Sequence, residues 1–180
     1  MNVLDGLAQY LQNQDSRPPL ELWQPELSGD MDIQINVSGE WFHEGSIIAR
    51  SKLVKLFASI LRREDDGEYY LVTPVEKWRI KVADTALIIV ELDVLGVGPE
   101  QQLMVVSNVG SKFLIGAQHP LSVTVNADGE PKPVVLLEHG LTAKLSRSVF
   151  YRLVDLANPG ASGDMNVLSD GELFSLGGAQ

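Results

Sequence analysis

The sequence predicts an α+β protein made of two packed halves, each a small and mainly antiparallel sheet with one helix. Alternating apolar residues mark many strands, and three segments change to the helical period of about 3.6 residues. The order strand, Gly-Glu turn, strand, helix also occurs twice, which is typical of an internal duplication. We therefore expect an N-terminal helix and Pro-rich lead-in at residues 1–30, a first half at 31–84 and a second half at 85–180.

The N-terminal third of the chain contains a helix pattern, a hairpin pattern and a second helix pattern. Residues 3–11 place apolar side chains at helical spacing, and three prolines and a glycine end that pattern before the first strand. Residues 33–37 alternate between apolar and polar, as in a half-buried strand, and Ser38-Gly39 makes a good two-residue turn. An apolar stripe at helical spacing between residues 49 and 63 predicts the helix of the first half.

Strand patterns dominate the middle of the chain, where short apolar runs are separated by turn residues. In order, these predicted strands are EYYLVT, KWRIKV, ALIIVELDV, QLMVVS and KFLIGA. The tail, MNVLSDGELFSLGG, repeats the Gly-Glu turn and predicts a closing hairpin on the second half.

The duplication rests on two aligned segments. IQINVSGE begins at Ile33 and matches VTVNADGE, which begins 90 residues later at Val123, with Asn, Gly and Glu at the same positions of both turns. A predicted helix follows each turn, and its apolar stripe recurs 96 residues later. The matched stripes are Leu53, Val54, Phe57 and Ile60 in the first half and Val149, Phe150, Leu153 and Leu156 in the second.

Composition excludes several classes of function. The net charge of −10, from 24 acidic and 14 basic residues, is unfavourable for coating duplex nucleic acid, although a local basic cluster can still hold a small anion. The chain has no cysteine, which excludes disulfides, thiolate metal sites and cysteine nucleophiles. Its first residues lack the pattern of a secretory signal, and its apolar runs are too short to span a bilayer. We expect a soluble cytoplasmic protein without a membrane span.

The patterns of catalytic and metal sites are incomplete. His43-Glu44 could serve as an acid and a base, but adjacent strand residues point to opposite faces unless they lie in a loop. The chain has three histidines and lacks a helical His-Glu-x-x-His motif, which argues against a metal site. It also lacks a G-x-S-x-G elbow and a glycine-rich phosphate loop. We therefore expect neither an enzyme activity nor a cofactor or metal.

Aromatic and basic residues are concentrated in the first half of this acidic chain. The candidate ligand-binding residues are Trp41, His43, Arg50, Glu76 and Lys77. Arg50 would make a forked contact with phosphate or carboxylate, Trp41 would stack on the ligand, and His43 would form a hydrogen bond. The same residues could instead be structural, with the tryptophan in the core and the basic side chains on a solvated helix face.

The segment GEWFHEGSIIARSKLVKLFASILRREDDGEYYLVTPVEKWRI closely resembles the signature region of a bacterial family of domains of unknown function. The shared pattern is Trp-Phe-His-x-Gly, then Ile-x-Arg before a Leu-Val-x-Leu-Phe helix, then Asp-Gly-x-Tyr-x-Leu-Val-Thr-Pro-Val-Glu-Lys, and it includes all five candidates. The second half has no Trp-Phe-His equivalent. The resemblance implies a duplicated α+β core, a pleckstrin-homology-like C-terminal half, a site between the halves for a nucleotide-like ligand, and a role in signalling.

Two functions follow from these observations. The first is a non-enzymatic binding or regulatory protein that holds a small anionic or nucleotide-like ligand in a groove between the halves. The alternative is a protein-interaction scaffold without a small-molecule site, in which an exposed sheet edge or the N-terminal helix recruits a protein partner. Burial separates them, because the ligand function loses its basis if Trp41, His43 and Arg50 are all enclosed and satisfied within the first half.

Overall fold

The computed structural model describes residues 5, 6, 8, 9 and 17–178. The chain forms two compact units, which we call unit 1 (Met1–Ala86 with His139–Leu141) and unit 2 (Leu87–Glu138 with Thr142–Gln180). Each unit has a six-stranded sheet, and each has a helix of nine or ten residues. This confirms the predicted α+β class with two halves.

Unit 1 forms one sheet, with strands in the order β3-β2-β1-β6-β5-β4. Its elements are β1 (Leu27–Ile35), β2 (Trp41–His43), β3 (Ser46–Ile47), helix α1 (Ser51–Ser59), β4 (Leu61–Arg63), β5 (Tyr69–Val72) and β6 (Lys77–Val82). All neighbouring strands are antiparallel except β1 and β6, which are parallel. A 3-10 turn at Leu20–Leu22 precedes the sheet.

The predicted N-terminal helix lies largely outside the described residues. Positions 5, 6, 8 and 9 are helical. Strand β1 begins at Leu27, so the lead-in ends a few residues before residue 30, the predicted limit. None of the helices in the described part of the chain is long and apolar enough to cross a membrane.

Helix α1 ends earlier than the sequence predicts. It stops at Ser59, whereas the predicted helix extends to about Arg63 and its apolar stripe to Leu61. Leu61 continues the stripe but pairs with Leu71 across β4 and β5, and its side chain is 1% exposed. A buried leucine satisfies either a helical or a strand period, and here the pairing with β5 decides for a strand.

Unit 2 contains a second six-stranded sheet, in the order β10-β11-β12-β7-β8-β9, and a three-stranded sheet, β13-β14-β15. Its elements are β7 (Leu87–Leu95), β8 (Gln102–Ser107), β9 (Lys112–Ile115), β10 (Leu121–Val125), β11 (Pro131–Leu136), β12 (Thr142–Leu145), helix α2 (Arg147–Leu156), β13 (Asn158–Pro159), β14 (Asp164–Ser169) and β15 (Glu172–Gly178). The antiparallel pair β14–β15 is the closing hairpin that the tail predicts. The pleckstrin-homology-like appearance of the C-terminal half stays a prediction.

The repeated turn has the same hydrogen bonds in both units. In unit 1 the Asn36 side chain donates to the Glu40 carboxylate at 2.7 Å and accepts from the Glu40 amide at 2.9 Å. Asn126 and Glu130 form the same two bonds in unit 2, at 3.2 and 2.9 Å. Gly39 has a φ of 78°, so it is the left-handed residue that follows a type I turn. The turn is therefore a three-residue hairpin loop, one residue longer than predicted.

The repeat extends to the helices but not to the order of the strands. Helix α1 begins at Ser51 and helix α2 at Arg147, which preserves the offset of 96 residues, and both Phe57 and Leu153 are fully buried. In unit 1, however, the first strand of the hairpin pairs with the rest of the sheet, through β1 and β6. In unit 2 the strand that pairs with the rest of the sheet is β12, which directly precedes the helix and pairs with β7.

Candidate functional site

Trp41 lies in the core of unit 1. It is opposite Ile35 in the β1–β2 pair and only 2% exposed. Its ring stacks on Phe57 of helix α1, with centroids 6.3 Å apart and an interplanar angle of 28°. The ring therefore joins the helix to the sheet, whereas stacking on a ligand requires an exposed ring face. The indole N–H is buried and has no hydrogen-bond partner among the described residues.

His43 lies at the end of β2, beside the turn to β3. Its side chain is 23% exposed, and its Nε2 is 3.9 Å from an oxygen of Glu44, which is 75% exposed. Glu44 has a φ of 49°, so it belongs to the turn and the strand rule on opposite faces does not apply to it. The separation is longer than a hydrogen bond, and the pair is an ion pair only when the imidazole is protonated. The two groups form a surface pair, without the enclosure that tunes an acid and a base.

Arg50 occupies the N-cap position of helix α1 and is exposed. No side chain caps this helix, and its first turn has no acidic residue. The first backbone N–H groups of an α-helix have no acceptor within the helix, and the helix dipole makes this end partly positive. Lys52 and Lys55 are also exposed, and neither they nor Arg50 form an ion pair with a described residue. The start of α1 is therefore a basic surface whose charge is not neutralised by neighbours.

Helix α2 provides a direct comparison within the same chain. Its N-cap is Ser146, at the position that corresponds to Arg50, and the serine Oγ accepts a hydrogen bond from the Val149 amide at 3.4 Å. Serine is among the preferred N-cap residues, whereas arginine is not. Unit 1 thus has an exposed guanidinium at the position where unit 2 has a capping hydroxyl.

Lys77 belongs to a network of charged groups on unit 1. Its Nζ donates to the Glu64 carboxylate at 3.0 Å and lies 4.8 Å from the centroid of the Tyr70 ring. Glu64 also accepts from Arg62 at 2.6 Å. Burial alone would raise the pKa of Glu64, but the hydrogen bonds from Arg62 and Lys77 outweigh it and hold that pKa below its ordinary value. Lys77 is therefore engaged within the protein.

Arg62 connects this network to the lead-in segment. It is 8% exposed, and its Nη1 donates to the backbone carbonyls of Leu20 at 3.1 Å and Trp23 at 2.8 Å. A guanidinium with fixed fork geometry can hold two carbonyls and a carboxylate together. The network thus fastens the Pro-rich segment to the sheet, which is a structural role.

Tyr70 and Asp66 extend the network by a short hydrogen bond. The phenol donates to the Asp66 carboxylate at 2.5 Å. This bond, with burial adding to it, raises the pKa of Tyr70 to about 12. The same bond lowers the pKa of Asp66. Both groups keep their ordinary charge states at neutral pH, so the pair is a structural contact.

Glu76 closes a tight turn between β5 and β6. Its backbone carbonyl accepts from the Thr73 amide at 2.9 Å, and its backbone amide donates to the Thr73 hydroxyl at 3.0 Å. The five predicted ligand residues therefore have different environments: core, hairpin end, helix start, turn and ion-pair network. Arg50 is the one among them that is exposed and lies beside other basic groups.

A pocket of about 560 Å³ opens elsewhere in unit 1, and none of the five predicted residues lines it. Its lining residues are Asp30, Met31, Asp32, Glu68, Arg79, Ile80 and Lys81. Arg79 is one of the basic residues that are concentrated in the first half, but sequence reasoning missed the acidic members of the lining. The sequence gives no signal of a pocket here, because Met31 is in phase with the apolar alternation of Ile33 and Ile35.

Known proteins are similar to this chain in sequence and in fold. Residues 18–85 match the family described as "Domain of unknown function (DUF1285), N-terminal domain", and residues 86–176 match "Protein of unknown function (DUF1285), C-terminal domain". Among curated proteins, none matches the chain.

Two crystal structures of bacterial proteins are similar to the chain. A DUF1285 family protein from Silicibacter pomeroyi DSS-3 has 37% identity and a TM-score of 0.89, over 99% of this chain and 96% of that one. A DUF1285 family protein from Shewanella baltica OS155 has 35% identity and a TM-score of 0.55, over 68% of this chain and 90% of that one. With matches over most of its length, the chain belongs to the DUF1285 family.

Proposed function

We propose that the protein is a non-enzymatic binding or regulatory protein that holds a small anionic ligand, such as a nucleotide or another phosphorylated metabolite. The anionic group would contact the basic start of helix α1 in unit 1. The observation that carries the proposal is Arg50, an exposed arginine at an uncapped helix N-terminus. A signalling role, which the family resemblance implies, and a cytoplasmic setting, which the sequence predicts, belong to the same proposal.

Charge supports an anion at this surface. The chain has a net charge of −10, yet residues 45–55 contain three exposed basic residues, Arg50, Lys52 and Lys55, and no acidic one. A local excess of this kind attracts an anion even when the protein as a whole is acidic. The partial positive charge at the helix start adds to the attraction, and its free N–H groups supply hydrogen-bond donors.

The internal repeat supports a specific role for Arg50. A structural helix start is expected to keep a good N-cap, as helix α2 does with Ser146. Arginine at the corresponding position of α1 gives up that cap, which costs about 0.5–2 kcal/mol of stability relative to a good capping residue. A phosphate or carboxylate would use both the guanidinium and the free amides, and would offset that cost when it binds.

Calorimetric titration with ATP, AMP and pyrophosphate tests the proposal. We expect at least one of them to bind the wild-type protein, and Arg50→Ser to weaken binding by about tenfold or more, since a charge-assisted contact is lost. Arg147→Ser is the matched control, because Arg147 is an exposed arginine in the first turn of helix α2. It should leave the affinity unchanged. Absence of binding at millimolar ligand, or equal binding by Arg50→Ser, would overturn the proposal.

The scaffold function is the second candidate, and Ile47 favours it. This residue is 54% exposed and lies in β3, the edge strand of the unit 1 sheet, three residues before Arg50. An apolar side chain on an open edge beside basic groups suits an extended peptide with acidic residues. A synthetic peptide of alternating Val and Glu tests this candidate. Binding of the peptide without binding of any nucleotide would favour the scaffold, and Ile47→Lys should then abolish it.

A further inference from the structure

The parallel pair β1–β6 in the middle of unit 1 contains a bulge. Asp30 pairs with Arg79 and Gln34 pairs with Lys81, so the three residues between Asp30 and Gln34 on β1 face only Ile80 on β6. Bulges of this kind bend a strand and re-aim side chains, and they are common next to binding sites. The pocket of about 560 Å³ lies here, within the usual range of small-molecule sites.

The pocket contains charged groups of both signs. Arg79 lies beside Asp30, with its Nε 3.1 Å from a carboxylate oxygen, but that N–H does not point at the oxygen and has no hydrogen-bond acceptor among the described residues. Asp32, Glu68 and Lys81 are exposed and form no ion pair with a described residue. The pocket therefore contains the Arg79–Asp30 pair and three charges that form no ion pair with a described residue.

The apolar part of the pocket lies beside these charges. Met31 is half-buried and Ile80 is 2% exposed, so both belong to a firmly packed part of the sheet. At Gly29, just before the bulge, a β-carbon would lie 3.3 Å from the Trp78 ring, and the φ of +145° favours glycine. This close packing holds the entrance to the bulge in place.

We infer that this pocket binds a small amino-acid-type ligand, which carries a carboxylate and at least one cationic nitrogen. Arg79 and Lys81 would hold the carboxylate, and Asp32 and Glu68 would hold the cationic group. Met31, the half-buried apolar residue of the lining, would contact the hydrocarbon chain between them. The inference goes beyond the proposed function, because the pocket and the basic start of α1 have no residue in common.

Charge balance narrows the ligand class. The lining has three carboxylates and two basic side chains, which leaves one negative charge in excess. A simple anion would meet that excess unfavourably, whereas a basic amino acid such as lysine or arginine brings one carboxylate and two cationic groups. We therefore expect the basic amino acids to bind best, neutral amino acids more weakly and acidic ones weakest.

Calorimetric titration of the full chain with L-lysine, L-arginine, norleucine, L-glutamate and cadaverine tests the inference. Norleucine lacks the terminal cation of lysine, and cadaverine lacks its carboxylate. We expect lysine and arginine to bind at millimolar concentration or below, and the other three to bind about tenfold or more weakly. No binding of any amino acid would overturn the inference, and so would equal binding of cadaverine and lysine.

Conservative variants test whether Asp32 and Glu68 hold the cationic group of the ligand. Asp32→Asn and Glu68→Gln should each weaken lysine binding by about tenfold, whereas Asp93→Asn, at an exposed acid in unit 2, should not change it. In NMR spectra of the wild-type protein, lysine should shift the Arg79 Nε–H signal. An unchanged signal and unchanged affinities in both pocket variants would overturn the assignment. Arg50→Ser should bind lysine normally, so failure at this pocket and failure of the anion proposal are distinguishable.

Discussion

At the scale of single residues, Glu64 is the acid that two basic side chains of unit 1 share. It accepts from Arg62 at 2.6 Å and from Lys77 at 3.0 Å. Arg62 is 8% exposed, so its charge has little access to water. Removing the carboxylate charge would leave a buried guanidinium without its counter-charge, which is unfavourable.

Glu64→Gln should therefore destabilise the protein by roughly 1.5–3 kcal/mol, the range for hydrogen bonds to charged groups. Urea denaturation followed by circular dichroism measures the change. Glu21→Gln is the control, since Glu21 is an exposed acid in the lead-in turn and should lie near the wild-type value. Equal stability of Glu64→Gln and wild type would show that the network contributes nothing to the free energy of unfolding.

The pH dependence of stability follows from the same residue. The folded pKa of Glu64 is lowered, so its contribution is fully present above the ordinary value of 4.5 and is lost as pH falls through the folded pKa. The stability difference between wild type and Glu64→Gln should therefore be constant near neutral pH and shrink below about pH 4.5. Urea titrations from pH 7 downward measure it. A difference that grows on acidification would contradict the sign of the shift.

Single residues also show where the sequence was informative about the site. The concentration of basic residues in an acidic chain correctly drew attention to Arg50 as an accessible cation. Trp41 and Lys77 have the same side-chain chemistry whether exposed or engaged, so composition could not reveal that one stacks on Phe57 and the other pairs with Glu64. Their environments depend on partners that are 13 to 16 positions away in the chain.

At the scale of elements, the N-cap positions of the two helices can be compared by opposite substitutions. Arg50→Ser would give helix α1 the cap that helix α2 has, and should stabilise the protein by about 0.5–2 kcal/mol. Stabilisation accompanied by loss of anion binding is the pattern expected of a residue kept for function.

The opposite change is expected in unit 2. Ser146→Ala removes the hydroxyl that accepts from Val149, and should destabilise the protein by about 0.5–2 kcal/mol. Thermal unfolding of both variants measures the two effects side by side. Destabilisation by Arg50→Ser would show that the arginine itself stabilises the helix. The claim that Arg50 binds a ligand at the expense of a helix cap would then be wrong.

Strands and helices were predictable where one period dominates, as in β5 to β9 and in the apolar stripe of α1. Helix α1 was predicted too long because Leu61 suits either period and its strand partner, Leu71, follows later in the chain. The bulge in β1 was not predictable, because it arises from a register shift against β6 and the contact between Asp30 and Arg79 joins residues that are 49 positions apart.

At the scale of the whole molecule, duplication gives two units with similar content and different strand order. The hairpin turns at Asn36 and Asn126 have the same bonds, yet the hairpins pair with their sheets through different strands. Local sequence identity therefore predicted the repeated unit, whereas pairing with strands elsewhere in the chain decided the topology. The repeat also isolates the feature that unit 2 lacks, an exposed arginine at the N-cap position of its helix.

The most direct test of an anion site at the start of helix α1 is a titration of the ¹⁵N-labelled protein with pyrophosphate, followed by amide NMR shifts. The amides of Ser51 and Lys52 should shift most and saturate, together with the Arg50 side-chain signal, because they are the free donors at that end. The amides of Arg147 and Ser148 should not move, because helix α2 has serine and not arginine at its N-cap, and the Ser146 hydroxyl already accepts from the neighbouring Val149 amide. Shifts of equal size at both helix starts, or none at Ser51 and Lys52, would contradict the proposed anion site.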